Sequence, residues 1–223
     1  MRERHLVVTR TARYAVLGEA VRRPEEVWFV LHGYGQLARR FIRGFEPLDD
    51  GRRLIVAPEG LNRYYLDDAG GPHGPEARVG ATWMTRDDRL TEISDYVSYL
   101  DTLYRHTFAE LDLDRDDTRV VALGFSQGAA TVSRWTAIGA ARPDLLVLWG
   151  SPAPPDLELD VAAAAWADLQ LALVYGTEDT SYGEAHAVSE AERLRVHGLS
   201  PRLVGFEGGH AIDPDVLQEL ARR

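Results

Sequence analysis

The chain has 223 residues and a formal net charge of −10; it contains no cysteine, and arginine supplies all 25 of its Lys+Arg residues. The acid excess argues against a nucleic-acid partner, because proteins that bind nucleic acids present basic surfaces. Without lysine there is no Schiff-base, pyridoxal-phosphate or P-loop chemistry, and without cysteine there is no thiol nucleophile, disulfide or zinc ribbon. Catalysis would have to use hydroxyl, imidazole, carboxylate or guanidinium groups.

Length and apolar content predict one domain over residues 1–223, since 45% hydrophobic residues can form a substantial core. The first apolar run is too short for the core of a signal peptide, and no apolar stretch is long enough to span a bilayer. We therefore expect a cytoplasmic protein without stable membrane insertion. The sequence does not indicate an oligomeric state.

In chain order, residues 5–9 and 14–17 predict an N-terminal antiparallel hairpin. Continuous apolar runs without alternation follow, as is typical of buried parallel strands, at residues 27–31, 54–57, 120–123, 145–149, 171–175 and 203–206. Helical stretches lie at residues 37–45, 88–110, 127–140, 184–197 and 213–222. This alternation predicts an α/β fold, in which helices cover both faces of a mostly parallel twisted sheet.

Residues 59–86 break the alternation, because they combine glycines, prolines and several tyrosines with no clear period. Such a long segment in a compact domain is usually functional or disordered. We expect an irregular loop near the ends of the strands. With the core elements accounted for, the length leaves no room for a large cap domain.

The strongest motif is Gly124-Phe125-Ser126-Gln127-Gly128, which directly follows an apolar run and directly precedes an alanine-rich helical stretch. The Gly-x-Ser-x-Gly pattern in this context predicts a nucleophile elbow, in which glycines let strand and helix approach while the serine sits on a strained turn. The helix N-terminus directs free N–H groups towards developing negative charge. Ser126 is the predicted nucleophile.

A nucleophilic serine needs a base and an acid that orients the base, and on such folds they follow it in the order acid, then histidine. Glu178 and Asp179 follow the run at residues 171–175, and His210 follows the run at residues 203–206. These groups are expected at the same sheet edge as Ser126. His32 ends the first core strand, where a structural role is expected.

The predicted oxyanion hole uses two backbone N–H groups. One belongs to Gln127, the residue after the nucleophile, and the other to Tyr34 in the loop His32-Gly33-Tyr34-Gly35. Glycines in that loop permit the backbone to turn its amides inward. No metal is predicted.

Taken together, Leu31-His32-Gly33-Tyr34-Gly35, Gly124-Phe125-Ser126-Gln127-Gly128, Gly176-Thr177-Glu178-Asp179 and Gly208-Gly209-His210 resemble the α/β-hydrolase fold. The narrower resemblance is to the phospholipase/carboxylesterase family, which includes acyl-protein thioesterases. It runs from about residue 27 to the C-terminus. It implies a cofactor-free serine esterase that acts through an acyl-enzyme on small-molecule or lipid-like carboxylic esters or thioesters. It also favours Asp179 as the acid, because the wider family places that acid three residues after the glycine that ends the strand.

The chain departs from the family where the thioesterases carry a Trp-Phe-Asp element, since it reads Gly80-Ala81-Thr82-Trp83-Met84-Thr85 there. Apolar and aromatic residues predict the walls of an acyl pocket. They are Tyr64, Tyr65, Trp83, Met84 and Trp149. Core packing is an equal alternative for Trp149.

Two other functions remain open from the sequence. Gly33-x-Gly35-x-x-Ala38 fits a dinucleotide fingerprint, and Glu59 near the end of the next strand would then hold a ribose. The chain would also keep its motifs as an α/β-hydrolase-fold protein that binds a ligand without turnover.

Overall fold

The computed structural model describes residues 2–18, 22–67 and 73–222. Its strands are β1 (Tyr14–Leu17), β2 (Glu26–Leu31), β3 (Arg53–Pro58), β4 (Asn62–Tyr65), β5 (Val79–Thr82), β6 (Arg119–Phe125), β7 (Leu145–Trp149), β8 (Gln170–Gly176) and β9 (Arg202–Phe206). Its helices are α1 (Ala38–Phe41), α2 (Arg89–Glu110), α3 (Gln127–Ile138), α4 (Leu159–Ala165), α5 (Glu184–Val196) and α6 (Pro214–Ala221), with a 3₁₀ segment at Ile42–Leu48.

Seven strands form one sheet in the order β1-β3-β2-β6-β7-β8-β9. Every neighbouring pair is parallel except β1 with β3, which is antiparallel. The predicted mostly parallel sheet is confirmed. Its strands are apolar throughout because both faces are covered.

Side chains of successive strand residues point to opposite faces and enter two separate cores. Phe29 of β2 packs with Leu100 of α2 and Trp135 of α3 on one face. Trp28 belongs to the other core, which includes Leu217 of α6. Helices therefore cover both faces, as predicted, and in the described ranges nothing forms a large cap.

The N-terminal antiparallel strand has a different partner from the one expected. Residues 5–9 carry no regular structure, and Val7 is 98% exposed. The β1 strand instead pairs with β3, whose edge offers backbone groups beside a buried face, so Ala15 and Leu17 pack against the core. The helix predicted over residues 37–45 also differs: α1 gives way to the 3₁₀ segment, which contains Gly44 and Pro47, both poor α-helix residues.

Residues 59–86 are more ordered than expected, because β4 and β5 form an antiparallel two-stranded sheet that pairs Tyr64 with Gly80. The polar β4 has no apolar alternation, so its residues carry no local pattern that predicts a strand. Within the part of the chain that the structure describes, no helix is long and apolar enough to cross a membrane.

Candidate active site

The turn between β6 and α3 carries Ser126 at its apex, with φ 54° and ψ −119°. A non-glycine residue at such a φ costs on the order of 1–3 kcal/mol. The flanking glycines are required, since a Cβ on Gly124 would collide with the carbonyl oxygen of Gly128, and a Cβ on Gly128 with that of Leu31. The N–H of Ser126 donates to the carbonyl oxygen of Trp149 at 2.8 Å, which fixes the turn against β7.

His210 and Asp179 meet at the carboxyl edge of the sheet, where Nδ1 of His210 lies 2.6 Å from Oδ2 of Asp179. An ionised carboxylate only accepts hydrogen bonds, so Nδ1 carries the proton and Nε2 is left as the basic nitrogen. The imidazole packs 4.8 Å from the ring of Phe125, between centroids. Gly150 also approaches the imidazole, since a Cβ placed on it would lie 2.9 Å from Cε1 of His210. The imidazole is thereby held beside the residue that precedes Ser126.

Asp179 is the carboxylate that contacts the histidine, and its side chain is only 2% exposed. Its Oδ1 accepts from the N–H groups of Ser181 at 2.8 Å and Tyr182 at 3.1 Å. Burial is the largest single influence and raises its pKa, but the hydrogen bonds from His210, Ser181 and Tyr182 together hold the pKa below the usual range. Glu178, the competing acid, is exposed, and its side chain makes no hydrogen bond to the described residues.

Ser126 follows Phe125, whose ring packs on His210, but it makes no direct hydrogen bond to the histidine in this structure. Across the described residues, the Oγ of Ser126 makes no hydrogen bond, to His210 or otherwise. Catalytic hydrogen bonds are often long before substrate binds and shorten in the reactive complex. The geometry thus supplies a strained serine and an oriented imidazole at one edge of the sheet.

The turn after β2 presents the predicted oxyanion donor. The N–H of Gly33 donates to Oε1 of Gln36 at 2.8 Å, that of Gly35 to the carbonyl oxygen of Ala81 at 2.9 Å, and that of Gln36 to the carbonyl oxygen of Gly33 at 3.2 Å. The N–H of Tyr34 has no acceptor among the described residues. Tyr34 is exposed, so its N–H is open to solvent or to a ligand, whereas the N–H groups of Gly33, Gly35 and Gln36 are used within the protein.

The second predicted donor is the N–H of Gln127. Gln127 is the first residue of α3, so its N–H is one of the donors that a helix N-terminus leaves unpaired. A Cβ on Gly33 would lie 3.2 Å from the Cβ of Ser126, so the turn and the elbow adjoin. The two predicted donors accordingly belong to two backbone segments that adjoin at Ser126.

Residues 80–84, which we term the oxyanion brace, hold the elbow through the side chain of Gln127. Its Nε2 donates to Oγ1 of Thr82 at 2.8 Å and to the carbonyl oxygen of Met84 at 2.9 Å, while its Oε1 accepts from the N–H of Trp83 at 3.2 Å. These contacts fix the first residue of α3, and with it the N–H that is predicted to serve as an oxyanion donor.

The brace also holds the turn after β2. The N–H of Ala81 donates to the carbonyl oxygen of Gln36 at 3.2 Å, in addition to the bond that Ala81 accepts from Gly35. A Cβ on Gly80 would lie 2.5 Å from the carbonyl oxygen of Gly35, so only glycine permits this approach. One short segment outside the main sheet therefore positions both of the predicted oxyanion donors. Sequence reasoning missed this role.

His32 has the structural role expected of it. Nδ1 donates to the carbonyl oxygen of Gly33 at 2.7 Å, and Nε2 accepts from the N–H of Gly60 at 2.9 Å. Burial lowers the pKa of His32 and keeps it neutral, as this hydrogen-bond pattern requires. Its ring stacks on Trp83 with centroids 5.0 Å apart.

A cleft of about 290 Å³ opens beside the elbow, between α3, the start of α2 and the loop after β7. Its lining includes Met84, Gln127 and Ser151, together with the charged residues Arg89, Arg134 and Asp156. Ser126 and His210 do not line the cleft themselves; it approaches them through Gln127, which follows Ser126, and through Ser151, which follows Gly150 beside His210. Met84 is the residue of the expected acyl-pocket set that lines this cleft.

The other expected wall residues lie elsewhere. Trp83 and Trp149 are each 1% exposed, and their indole N–H groups donate to the carbonyl oxygens of His32 and Ala211. They are core residues because each indole N–H finds its acceptor inside the protein, which for Trp149 was the alternative interpretation. Tyr64 packs on Tyr34 at 5.3 Å, and Tyr65 stacks on His73 at 3.7 Å, between ring centroids.

Three charged residues of the cleft were missed by the sequence analysis. Asp156 bridges two arginines, with its Oδ2 2.5 Å from Nη2 of Arg89 and its Oδ1 2.7 Å from Nη2 of Arg134. The hydrogen bond from Arg89, followed by that from Arg134, lowers the pKa of Asp156 to about 2. A signal was present, since Arg134 is the single charged residue of α3, and arginine is rarely buried without a partner.

Glu59 is used by the structure itself. Its side chain is 1% exposed and accepts from Nε of Arg13 at 2.6 Å, from Nε of Arg63 at 2.7 Å and from the N–H of Ala38 at 3.1 Å. The acid that a dinucleotide interpretation would assign to a ribose is therefore already paired. The helix that would face a pyrophosphate, α1, is only four residues long.

The fold is shared with several solved structures. A carboxylesterase from Mesorhizobium loti matches with a TM-score of 0.70 and 22% identity, covering 95% of both chains. The esterase PE8 matches with a TM-score of 0.68 and 21% identity, covering 94% of this chain and 95% of that one. Zea mays acyl-protein thioesterase 2 matches with a TM-score of 0.66 and 17% identity, covering 95% of this chain and 97% of that one. At such identities the likeness shows the fold, and the predicted α/β-hydrolase fold is confirmed.

No protein-family model matches the chain, and no curated protein matches its sequence.

Proposed function

We propose that the protein is a serine esterase that hydrolyses carboxylic esters or thioesters of small to medium acyl groups. The observation that carries this proposal is the 2.6 Å contact between Nδ1 of His210 and Asp179, formed beside a serine at φ 54°. Such an arrangement has no evident structural need, and the strained serine costs stability. Supporting the proposal, proteins of similar fold are described as an esterase, a carboxylesterase and an acyl-protein thioesterase.

In the proposed reaction, the Oγ of Ser126 attacks the carbonyl carbon of the ester while Nε2 of His210 takes its proton. The bond from that carbon to the leaving oxygen or sulfur then breaks, and the imidazolium returns the proton to the leaving group. Water attacks the acyl-enzyme in the same way, releasing a carboxylic acid and restoring Ser126. No cofactor takes part in this sequence.

Asp179 and the two backbone donors act on charge that develops during these steps. The Asp179 carboxylate stabilises the imidazolium and fixes the tautomer that leaves Nε2 basic. The N–H groups of Tyr34 and Gln127 would stabilise the tetrahedral oxyanion, each by about 2.7–4 kcal/mol.

The test is Ser126→Ala, with Ser98→Ala as the matched control, since Ser98 is an exposed serine on α2. We expect the wild type and Ser98→Ala to hydrolyse 4-nitrophenyl butyrate and to react with a fluorophosphonate probe. Ser126→Ala should lose both activities because the attacking oxygen is gone. Retained hydrolysis and labelling in Ser126→Ala contradicts the assignment, and a wild type without turnover would favour a ligand-binding protein.

A further inference from the structure

The cleft beside Ser126 carries an unbalanced positive charge. Arg89, Arg134 and Asp156 are the charged residues that line it in the described part of the chain, so two guanidinium groups face one carboxylate. Tyr96 also contacts Arg134, through its hydroxyl at 3.3 Å, and burial raises the pKa of Tyr96, which keeps it neutral. The cluster therefore retains one net positive charge, in a protein whose overall charge is −10.

Arg134 is buried deeply and is not fully paired. Its side chain is 7% exposed, and its Nε has no hydrogen-bond partner among the described residues. A buried donor without an acceptor costs about 1–3 kcal/mol, and more when the group is charged. Because this Nε is shielded from solvent, Arg134 contributes its positive charge to the cleft and not a hydrogen bond from that atom. Arg89 lies nearer the surface, with its side chain 30% exposed, where it can meet an entering anion.

A short chain of contacts links the cluster to the turn that carries Ser126. Nη1 of Arg134 contacts Sδ of Met84 at 3.7 Å, and the carbonyl oxygen of Met84 accepts from the side chain of Gln127 at 2.9 Å. Gln127 directly follows Ser126. Met84 thus lies between the guanidinium group of Arg134 and the side chain of Gln127.

We propose that this cleft recognises a carboxylate on the ester substrate, so that the enzyme prefers monoanionic esters to neutral esters of the same length. A carboxylate matches guanidinium donors in geometry as well as in charge. The inference rests on the proposed esterase function, for which it specifies the substrate class.

Two esters of equal carbon number provide the comparison: 4-nitrophenyl hexanoate, which is neutral, and mono-4-nitrophenyl adipate, which ends in a carboxylate. A third ester, 4-(hexanoyloxy)benzoate, places the carboxylate on the leaving group instead. The measured quantity is the ratio of kcat/KM for each anionic ester to kcat/KM for the hexanoate. The wild type should favour at least one anionic ester. The anionic ester with the raised ratio identifies whether the acyl side or the leaving-group side of the ester enters the cleft.

Arg89→Gln should lower that ratio by about tenfold, because a charge-assisted hydrogen bond is lost. The matched control is Arg105→Gln, which removes the same charge from an exposed site on α2, about 24 Å further along the helix axis. It should leave the ratio unchanged.

Asp156→Asn separates recognition from a structural role. It removes the carboxylate that competes for both arginines, so it should raise the ratio severalfold while Arg89→Gln lowers it. If the cluster only held the loop after β7 in place, the two variants would shift the ratio in the same direction or not at all.

Ser126-dependent hydrolysis of the hexanoate, with a ratio that Arg89→Gln leaves unchanged in both arms, overturns the inference alone. If the wild type hydrolyses none of the three esters through Ser126, the proposed function fails and the inference fails with it.

Discussion

The two sides of Ser126 are built differently. On one side, Asp179 and His210 follow directly from the ends of the adjacent parallel strands β8 and β9, and the sheet itself brings them together. On the other side, the N–H groups of Tyr34 and Gln127 depend on the oxyanion brace, which lies outside the seven-stranded sheet.

This difference determines how sensitive each side is to substitutions outside the seven-stranded sheet. Parallel strands carry their ends to one edge of a sheet, so the register of β8 and β9 brings the acid and the base together, and the N–H groups of Ser181 and Tyr182 add local support to the carboxylate. The oxyanion side has no such register to rely on. It is held by hydrogen bonds of single side chains and by close glycine contacts, so a small change outside the sheet should weaken it.

The largest expected effect lies on the sheet side, where Asp179→Asn should lower kcat by about 10⁴-fold because the imidazole loses its tautomer and its stabilising charge. Glu178→Gln is the matched control and should stay within about twofold, since Glu178 is exposed and away from the imidazole. Steady-state hydrolysis of 4-nitrophenyl butyrate measures both. Should Glu178→Gln abolish activity while Asp179→Asn retains it, the assignment of the acid is wrong.

A smaller effect is expected for Gly80→Ala on the brace side. The added Cβ would press on the carbonyl oxygen of Gly35 from 2.5 Å and displace the turn that carries the Tyr34 N–H. We expect kcat to fall by about 10²-fold, as for the loss of one oxyanion donor. Gly74 lies six residues before Gly80 and outside the brace, and a Cβ on it would have nothing within 4 Å. Gly74→Ala should therefore leave kcat unchanged. Equal kcat values for the two variants would mean that the oxyanion brace does not contribute to catalysis.

The smallest expected effect is the response of stability to acid. Hydrogen bonds depress the pKa of Asp179 in the folded state, so its contribution is present above the unfolded value of about 3.9 and is lost as the pH falls through the folded value. The Tm difference between wild type and Asp179→Asn should therefore shrink between pH 6 and pH 3, by roughly 2–4 °C for each kcal/mol lost.

Gly80→Ala provides the contrast, because it removes no titratable group. Its Tm difference from the wild type should stay constant over the same pH range in differential scanning calorimetry. A constant difference for Asp179→Asn as well would mean that the Asp179 carboxylate contributes no charge-dependent stability.

The features predicted from the sequence are those with a strong local signal. The central strands are uninterrupted apolar runs, and the motif around Ser126 needs glycines at fixed positions, so both are readable without a structure. The choice of Asp179 over Glu178 came from family resemblance, and its physical basis is visible only in three dimensions, where Asp179 is buried against His210 and Glu178 is not.

The features that were missed arise from long-range contacts. The strand β4 carries no apolar alternation and forms only because β5 supplies its partner. The bond between Gln127 and Met84 joins residues 43 positions apart, and the cluster around Asp156 joins three separate elements. No local pattern encodes such contacts, although a lone arginine in a small-residue helix indicates that a partner is needed.

The backbone angle of Ser126 means that this position is not optimised for folding. Glycine would relax at φ 54°, so the chain would gain stability by giving up the hydroxyl that the proposed reaction requires. Selection for a stable fold alone would remove the serine, whereas selection for turnover retains it. At position 126, the most stable sequence and the reactive sequence are different sequences.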